Sequence, residues 1–432
     1  MWTTPNEFVY RTPLSAYHRD ILEQVLLKFA VPPAGVAFVF DNDDYDKYLN
    51  TVWRDNQALH MNIQLGGVEE MSPRHLVDIM KSKKHAHLVW LSRRICGGPA
   101  MQFAWVLAHE LRHLEQDCLS HALSRAGHFL QSAFCFMPID EPRICVTIPT
   151  ELDAELAARR TVSSIFGLAE TNRYIALEVE ARDRPECYRV LPEINLKEEY
   201  DVVGKTLRML MKYRQQLLDL QETCKDPFIS DFNVQATCED LQGLWNSLMR
   251  TNGILNRLRK TRAAIDQLNI PSGPGVYAIF AKPGAGLSYY RLPTDDIMYI
   301  GVSQDLPSRV GGTHFDSKGS GFSTLRRSIG ALLKDKLQLE AIPSGDGGDD
   351  SDYTQYCFES DGEERLTEWM KDTLEVGVCP LHEDEEGMKA WEERLIQQAR
   401  PVLNLRKWPN PYAEFIESLR RKCAEEARRK EQ

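Results

Sequence analysis

Gly275-Val276-Tyr277-Ala278-Ile279-Phe280, followed by Ile297-Met298-Tyr299-Ile300-Gly301-Val302, decides how this chain is divided. Both runs carry β-branched and aromatic residues in strand-like stretches, and Pro271-Ser272-Gly273-Pro274 in front of the first is a helix stop. Upstream, from about Asp201 to Leu268, the pattern is helical: Leu207, Leu210, Leu217 and Leu220, then Leu241, Trp245, Leu248, Leu255 and Leu258, interrupted at Asp226-Pro227. A new domain therefore starts near residue 269. The helical stretch reads as a hairpin that joins it to what precedes, with a coiled-coil dimer arm as the other reading.

Towards the N-terminus, strand-like runs at Gly35 to Phe40 and His87 to Leu91 alternate with helical stretches such as Tyr17 to Phe29, an α+β pattern. Gly97-Gly98-Pro99 breaks the chain, and Pro99 suits the first turn of a helix running through Leu119. That helix contains His109-Glu110-Leu111-Arg112-His113, so both imidazoles project from one face with a carboxylate beside them. A catalytic zinc takes three protein ligands and keeps one position for water, which calls for a third donor elsewhere. Glu151 is chosen: Thr150 can cap a new helix on which Glu151 and Glu155 share a face, Glu155 then orienting a ligand imidazole. The plainer reading is an amphipathic helix with two solvent-facing histidines, and His121 and His128 are read as ordinary surface or packing residues. Over roughly the first 170 residues the pattern resembles the zincin metallopeptidases whose third ligand is a downstream glutamate. The resemblance implies a Zn2+ site, Glu110 as general base, and an edge strand near His87 to Leu91 that holds an extended peptide.

In the C-terminal part, the tripeptides Gly275-Val276-Tyr277 and Tyr299-Ile300-Gly301 are followed in order by Arg309, His314, Glu392 and Pro401-Val402-Leu403-Asn404. This series resembles the GIY-YIG endonucleases over about Gly273 to Arg406, ending on a glutamate helix and a P-x-L-N strand. The resemblance implies Mg2+ or Mn2+ on Glu392, Arg309 against charge developing at phosphorus, Tyr277 and Tyr299 as base and proton relay in either order, His314 assisting and Asn404 in support. Lys282 to Asp296 lengthens the link between the two tyrosine strands. Ser320 to Arg327 could open a helix whose amides, with Arg326 and Arg327, meet a DNA phosphate, or could be a capped helix with solvated arginines. Ser344 to Asp352 has no apolar residue and reads as a loop, and Glu414 to Gln432 as a charged helix, a solvated face or a docking tail.

Composition bounds the rest. At 432 residues, 43% of them hydrophobic, the chain supports more than one core. A net charge of −11 leaves nucleic-acid binding to a local surface rather than to the whole molecule. The ten cysteines form no C-x-x-C pair and read as free thiols. No apolar run reaches membrane-spanning length and the N-terminus lacks a signal-peptide pattern, so a cytoplasmic or nucleoid-associated, non-secreted protein with no membrane partner is expected. The expected organisation is a zincin-like domain over 1–175, a helical linker over 176–268 that offers a homo-oligomer contact, a small mixed α/β nuclease domain over 269–408, and a charged helix over 409–432. The expected function is a bifunctional hydrolase that cuts DNA phosphodiester bonds and a protein or peptide substrate, in anti-phage defence or DNA-linked regulation. Two other readings stand beside it: a nuclease whose zinc domain senses or binds a partner, and a DNA–protein crosslink repair factor.

Overall fold

The computed structural model describes residues 7–29, 35–42, 58–63, 72–82, 84–137, 148–181, 191–194, 200–282, 284, 292, 296–317, 320–345 and 349–431. Parts of two expected loops, Lys282 to Asp296 and Ser344 to Asp352, lie outside these residues, as do Cys145 and Cys187. The chain forms two compact units, residues 2–247 and 248–432.

In the first unit, strands β1 (Glu7–Tyr10), β2 (Val36–Phe40), β3 (Ala58–Asn62) and β4 (His87–Leu91) form one sheet in the order β1-β2-β4-β3. β1, β2 and β4 run parallel, while β3 is antiparallel to β4 with His60 opposite Val89. β2 and β4 are buried at every position, as nearly continuous apolar runs covered on both faces should be. The expected edge strand at His87 to Leu91 is therefore interior, and the edges of the described sheet are β1 and β3.

Alternation along the strands sends Phe38, Phe40, Val89 and Leu91 to one face and Ala37, Val39, Leu88 and Trp90 to the other. Helix α1 (Ala16–Leu26), capped by Ser15, covers the first face; α2 (Arg74–Ser82) covers the second with Leu76 and Met80. Helix α3 (Ala100–Leu119) lies on the same face as α1 and starts after Pro99, its N-cap, burying Phe103, Leu107, Leu111 and Leu114 at three- and four-residue spacing. Helices α4 (His121–Phe136), α5 (Pro149–Phe166) and α6 (Leu168–Ala181) complete this layer.

The stretch expected to be a hairpin joining two domains packs largely within this unit. Helices α7 (Val202–Lys212) and α8 (Arg214–Thr223) pack on α4, and α7 also on α5. Just beyond them the Phe232 ring stacks on Phe129 of α4 with centroids 3.9 Å apart. Helix α9 (Val234–Lys260) belongs to the first unit up to Ser247 and to the second from Leu248.

The second unit is built on β5 (Gly275–Ala281), flanked by β6 (Ile297–Ser303) and β9 (Leu374–Pro380), both antiparallel to it; β7 (Ala341–Ile342) and β8 (Cys357–Phe358) make a small separate pair. One sheet face, with Tyr277, Ile279 and Met298, meets α10 (Thr324–Leu337), α11 (Ser360–Thr373) and α13 (Ala413–Glu431). The other, with Val276, Ala278, Phe280 and Ile300, meets Leu255 and Leu258 of α9 and Leu395 and Ile396 of α12 (Glu385–Ala399).

Two expectations change here. Of the two readings of Glu414 to Gln432, a solvated face or a docking tail, the first fails for helix α13, because Ile416, Cys423, Ala424 and Ala427 are buried in the core, which runs on past residue 408. Pro401 to Asn404 is a turn rather than a strand, although the Leu403 amide donates to the Met298 carbonyl at 2.9 Å as a strand neighbour would. The eight described cysteines are free, and no described helix is long and apolar enough to cross a membrane.

Candidate functional sites

The apolar stripe of α3 faces the sheet, which leaves His109, Glu110 and His113 on the flank that meets α5 and β3. Helix α5 begins against α4 so closely that a Cβ on Gly127 would stand 2.3 Å from Thr150 Oγ1. That approach presents Glu151 to the histidines. His109 Nε2 and His113 Nε2 are 3.0 Å apart, with Glu151 oxygens 3.6 and 3.5 Å from them. Two ligands each about 2.0–2.1 Å from a tetrahedral zinc lie roughly 3.3 Å apart, so these three side chains fit such an ion.

The back of the cluster is fixed as well. His113 Nδ1 lies 3.0 Å from Gln116 Oε1, and the Gln116 amide donates to the Thr150 carbonyl and to Asp153. Arg112 Nε donates to Asp153 Oδ2 at 2.7 Å. His109 Nδ1 is 3.5 Å from Glu155 Oε1, whose other oxygen accepts from Trp105 Nε1. Both imidazoles thus turn Nε2 towards Glu151. Burial works against charge on His109, but Glu151, Glu155 and Glu110 overcome it and raise the group to about 10. Burial pushes the Glu110 carboxyl up from its ordinary value, and its Oε2 accepts the His60 amide of edge strand β3 at 2.8 Å. Glu151 stays well below the usual carboxylate range, because the two histidines outweigh its burial. A point ringed by carboxylates draws a cation, and these imidazoles present the nitrogens to hold one.

In the second unit β5 and β6 set their tyrosines side by side, with ring centroids 6.2 Å apart. A Cβ on Gly301 would lie 2.3 Å from the Tyr277 hydroxyl, so only glycine leaves room for that phenol. A π-helical turn, Ser308–His314, carries Arg309 and returns His314 beneath the tyrosines. The Tyr277 hydroxyl and His314 Nε2 are 2.7 Å apart, and His314 Nδ1 is 2.7 Å from Ser323 Oγ. Burial first, then the charges of Arg309 and Arg326, push His314 down to about 3, so it is neutral. Burial and the Tyr299 phenol hold Tyr277 well above its ordinary value against the pull of Arg309. Asn404 is buried and accepts the Ile300 amide at 2.8 Å while donating to the Ile300 carbonyl at 2.9 Å, pairing with β6 through its side chain. Glu392, partly buried on α12, is ion-paired with Lys407; Glu393 is exposed and accepts from Gln397.

Residues 275–427 carry a GIY-YIG catalytic domain. No curated protein and no solved structure matches the chain. The GIY-YIG match reaches into α13, in keeping with the burial of that helix. Such a domain implies a nuclease acting on DNA, and nucleases of this kind are typically dependent on a divalent metal.

Within the GIY-YIG unit the structure brings Tyr277, Tyr299 and His314 together, sets Arg309 against the Phe322 carbonyl at 3.4 Å, and places Glu392 on a separate helix. Arg326 and Arg327 are not available to a phosphate. Arg326 is fully buried, ion-paired with Glu363 and bonded to the His314 carbonyl, and Arg327 Nη1 donates to the Ser320 carbonyl. Sequence reasoning missed Ser323, Lys407 and Glu363 here, and Gln116, Asp153 and His60 in the first unit. Gln116 carried a signal, three residues beyond His113 on the same helix. Ser323 lies only nine residues from His314, while Lys407, Glu363, Asp153 and His60 meet their partners across 15 to 50 residues of sequence and carried none.

Proposed function

We propose that the C-terminal unit cuts DNA phosphodiester bonds by a one-metal hydrolysis, and the observation that carries this is the Tyr277–His314–Ser323 chain beside Arg309 in a GIY-YIG domain. A divalent ion on Glu392 would neutralise a phosphate oxygen of the substrate. Tyr299, 9% exposed against 1% for Tyr277, is the phenol nearer the substrate. Tyr299 takes the proton of the attacking water on its oxygen as it releases its own to solvent, while the neutral His314 imidazole, too weak a base at about 3 to keep that proton, accepts the Tyr277 hydrogen bond and, oriented by Ser323, fixes Tyr277 beside Tyr299. Arg309 meets the charge that builds on the phosphorus centre. Asn404 acts through β6, holding the strand that carries Tyr299.

A second reading, for the first unit, rests on the convergence of His109, His113 and Glu151. We propose that these residues hold Zn2+ and that Glu110 takes a proton from water during hydrolysis of a peptide. Its carboxyl is pushed up by burial and oriented by the His60 amide, both of which suit a group that accepts and returns a proton. Among the described residues β3 is paired on one side with β4, and its other side, where the His60 amide donates to Glu110, is the side an extended peptide would approach.

One set of preparations tests both readings. With Mg2+, Glu392→Gln should lower DNA cleavage by about a thousandfold or more, on the scale of losing a principal electrostatic group. Elemental analysis of the purified chain should give about one zinc, lost in His109→Ala and kept in Glu110→Gln, and peptide hydrolysis should vanish in both. DNA cleavage unchanged by Glu392→Gln would sink the nuclease assignment, and zinc retained by His109→Ala would sink the metal centre.

A further inference from the structure

Phe322 is 80% exposed, the highest value among the described large apolar side chains, while Ser320 and Ser323 on either side of it are fully buried. The turn that presents it, Ser320–Phe322, is braced from within. Ser320 Oγ donates to Glu363 Oε2 at 2.7 Å and accepts from Arg326 Nε at 3.1 Å, while Arg327 Nη1 donates to the Ser320 and Gly321 carbonyls. A Cβ on Gly321 would stand 3.1 Å from Cys357 Sγ, so the turn also lies tightly against β8. Buried arginines and a buried glutamate therefore hold rigid a turn whose outward product is a phenyl ring in water.

The position of that ring gives it a use. The Phe322 carbonyl accepts from Arg309 Nη1 at 3.4 Å, and the next residue, Ser323, is bonded to His314. The ring thus stands one peptide away from contacts to both Arg309 and the His314 that holds Tyr277. A phenyl ring has no hydrogen-bonding group with which to read a base edge, but it stacks on the face of any base that has left its duplex stack. With a net charge of −11 the chain gains little from nonspecific attraction to DNA, and stacking is a contact that does not depend on charge.

We propose that Phe322 stacks on an unpaired nucleobase next to the scissile phosphate, so that the nuclease prefers DNA with an unstacked base, at a flap, branch or bulge, over continuous duplex. The proposal rests on the nuclease reading above. The rigid turn fixes the ring beforehand, so an already unpaired base docks without the cost of unstacking, whereas a paired base must first be extruded. Recognition follows DNA structure and tolerates any sequence.

The test uses the full chain carrying Glu392→Gln, which prevents cleavage, and two DNAs of one sequence with 2-aminopurine at the same position, unpaired at a branch in one and paired in duplex in the other. Binding should quench the unpaired probe. Adding Phe322→Ala should abolish the quench and weaken binding to branched DNA roughly ten- to a hundredfold, with duplex affinity changed less than about twofold and Phe322→Trp restoring both signals. Unchanged quench and affinity in Phe322→Ala would overturn the proposal and leave the ring to another occupant such as a protein. Equal losses on both DNAs would also overturn it. The chain without the Glu392 substitution separates the two levels: if it cuts neither DNA the nuclease reading fails, and if it cuts both equally with or without Phe322 this inference alone fails.

Discussion

The two units use histidine in opposite ways. Around His109, the carboxylates of Glu110, Glu151 and Glu155 raise the imidazole to about 10, and its nitrogen faces the place where a cation would sit. Around His314, burial and two arginines push the imidazole down to about 3, and both its nitrogens are taken up by neutral hydroxyls. The first arrangement gathers negative charge and would be completed by a positive ion. The second keeps its histidine uncharged beside arginines, which leaves the arginines to an anion while the imidazole holds the Tyr277 phenol in place. Neighbouring charge therefore decides what a histidine does in this chain, and the residue type alone does not.

The nuclease-side arrangement should be the easier to break by geometry, because it depends on one phenol seated against one glycine. In Gly301→Ala the new Cβ would fall 2.3 Å from the Tyr277 hydroxyl, so the phenol must leave His314. Displacing a reacting group by about an ångström can cost a hundredfold in rate, and cleavage should fall by at least that. Overpacking of this kind should lower stability by about 1–3 kcal/mol. Cleavage within about threefold of wild type, on a scale where one step of such misplacement costs far more, would mean that the tyrosine–histidine contact is not used.

How much of this was legible in sequence differs by residue, for physical reasons. Helix spacing alone puts His109 and His113 together, and the expectation of a new helix near Thr150 was enough to bring in Glu151, although that helix starts at Pro149 after Ile148 and Thr150 does not cap it. Strand β3 escaped notice because its alternation, Leu59 and Met61 against His60 and Asn62, is too short a run to mark a strand. His60 meets His87 at 3.2 Å and Asn62 donates to Asp117 at 2.6 Å, partners that only the fold supplies. Arg326 and Arg327 read as surface charges because Glu363, which neutralises Arg326, is 37 residues away. Helix α13 read as solvated because its buried stripe consists of one isoleucine, one cysteine and two alanines among many charges.

The difference between the histidines also has a pH signature on the nuclease side. Unfolded, an imidazole takes up a proton near its ordinary value of 6.5; folded, His314 refuses it down to about 3. Between those values the unfolded chain binds the extra proton, so stability rises with pH through the window and the contribution is fully present above it. His314→Gln should flatten that dependence. Urea titrations between about pH 4 and 6 should show a shallower slope than wild type, by up to about 1.4 kcal/mol per pH unit, the value of one proton. Parallel slopes would show that His314 takes up its proton in the folded state as readily as in the unfolded one, and the neutral imidazole beside Tyr277 would lose its basis.

The smallest effect expected concerns Lys407, and it asks how far the nuclease centre shares the cation-seeking character of the other. Lys407 has a left-handed backbone with φ of 72° and sets its ammonium on the Glu392 carboxylate. A divalent ion on Glu392 must displace or share that contact. The lysine side chain is 37% exposed, and solvent-screened pairs of this kind contribute at most about 1 kcal/mol. Lys407→Met should therefore reduce the Mn2+ concentration needed for half-saturation by no more than about fivefold, measured by titration calorimetry on the chain without DNA, with Glu392→Gln as the control that abolishes the signal. If the ammonium then turns to the DNA backbone, the same variant should bind DNA more weakly and lose some of its salt dependence. Tighter Mn2+ with unchanged DNA affinity would make Lys407 a placeholder for the metal alone. Weaker Mn2+ binding in Lys407→Met would reverse the comparison, because the lysine would then be helping to hold Glu392 in position for the ion.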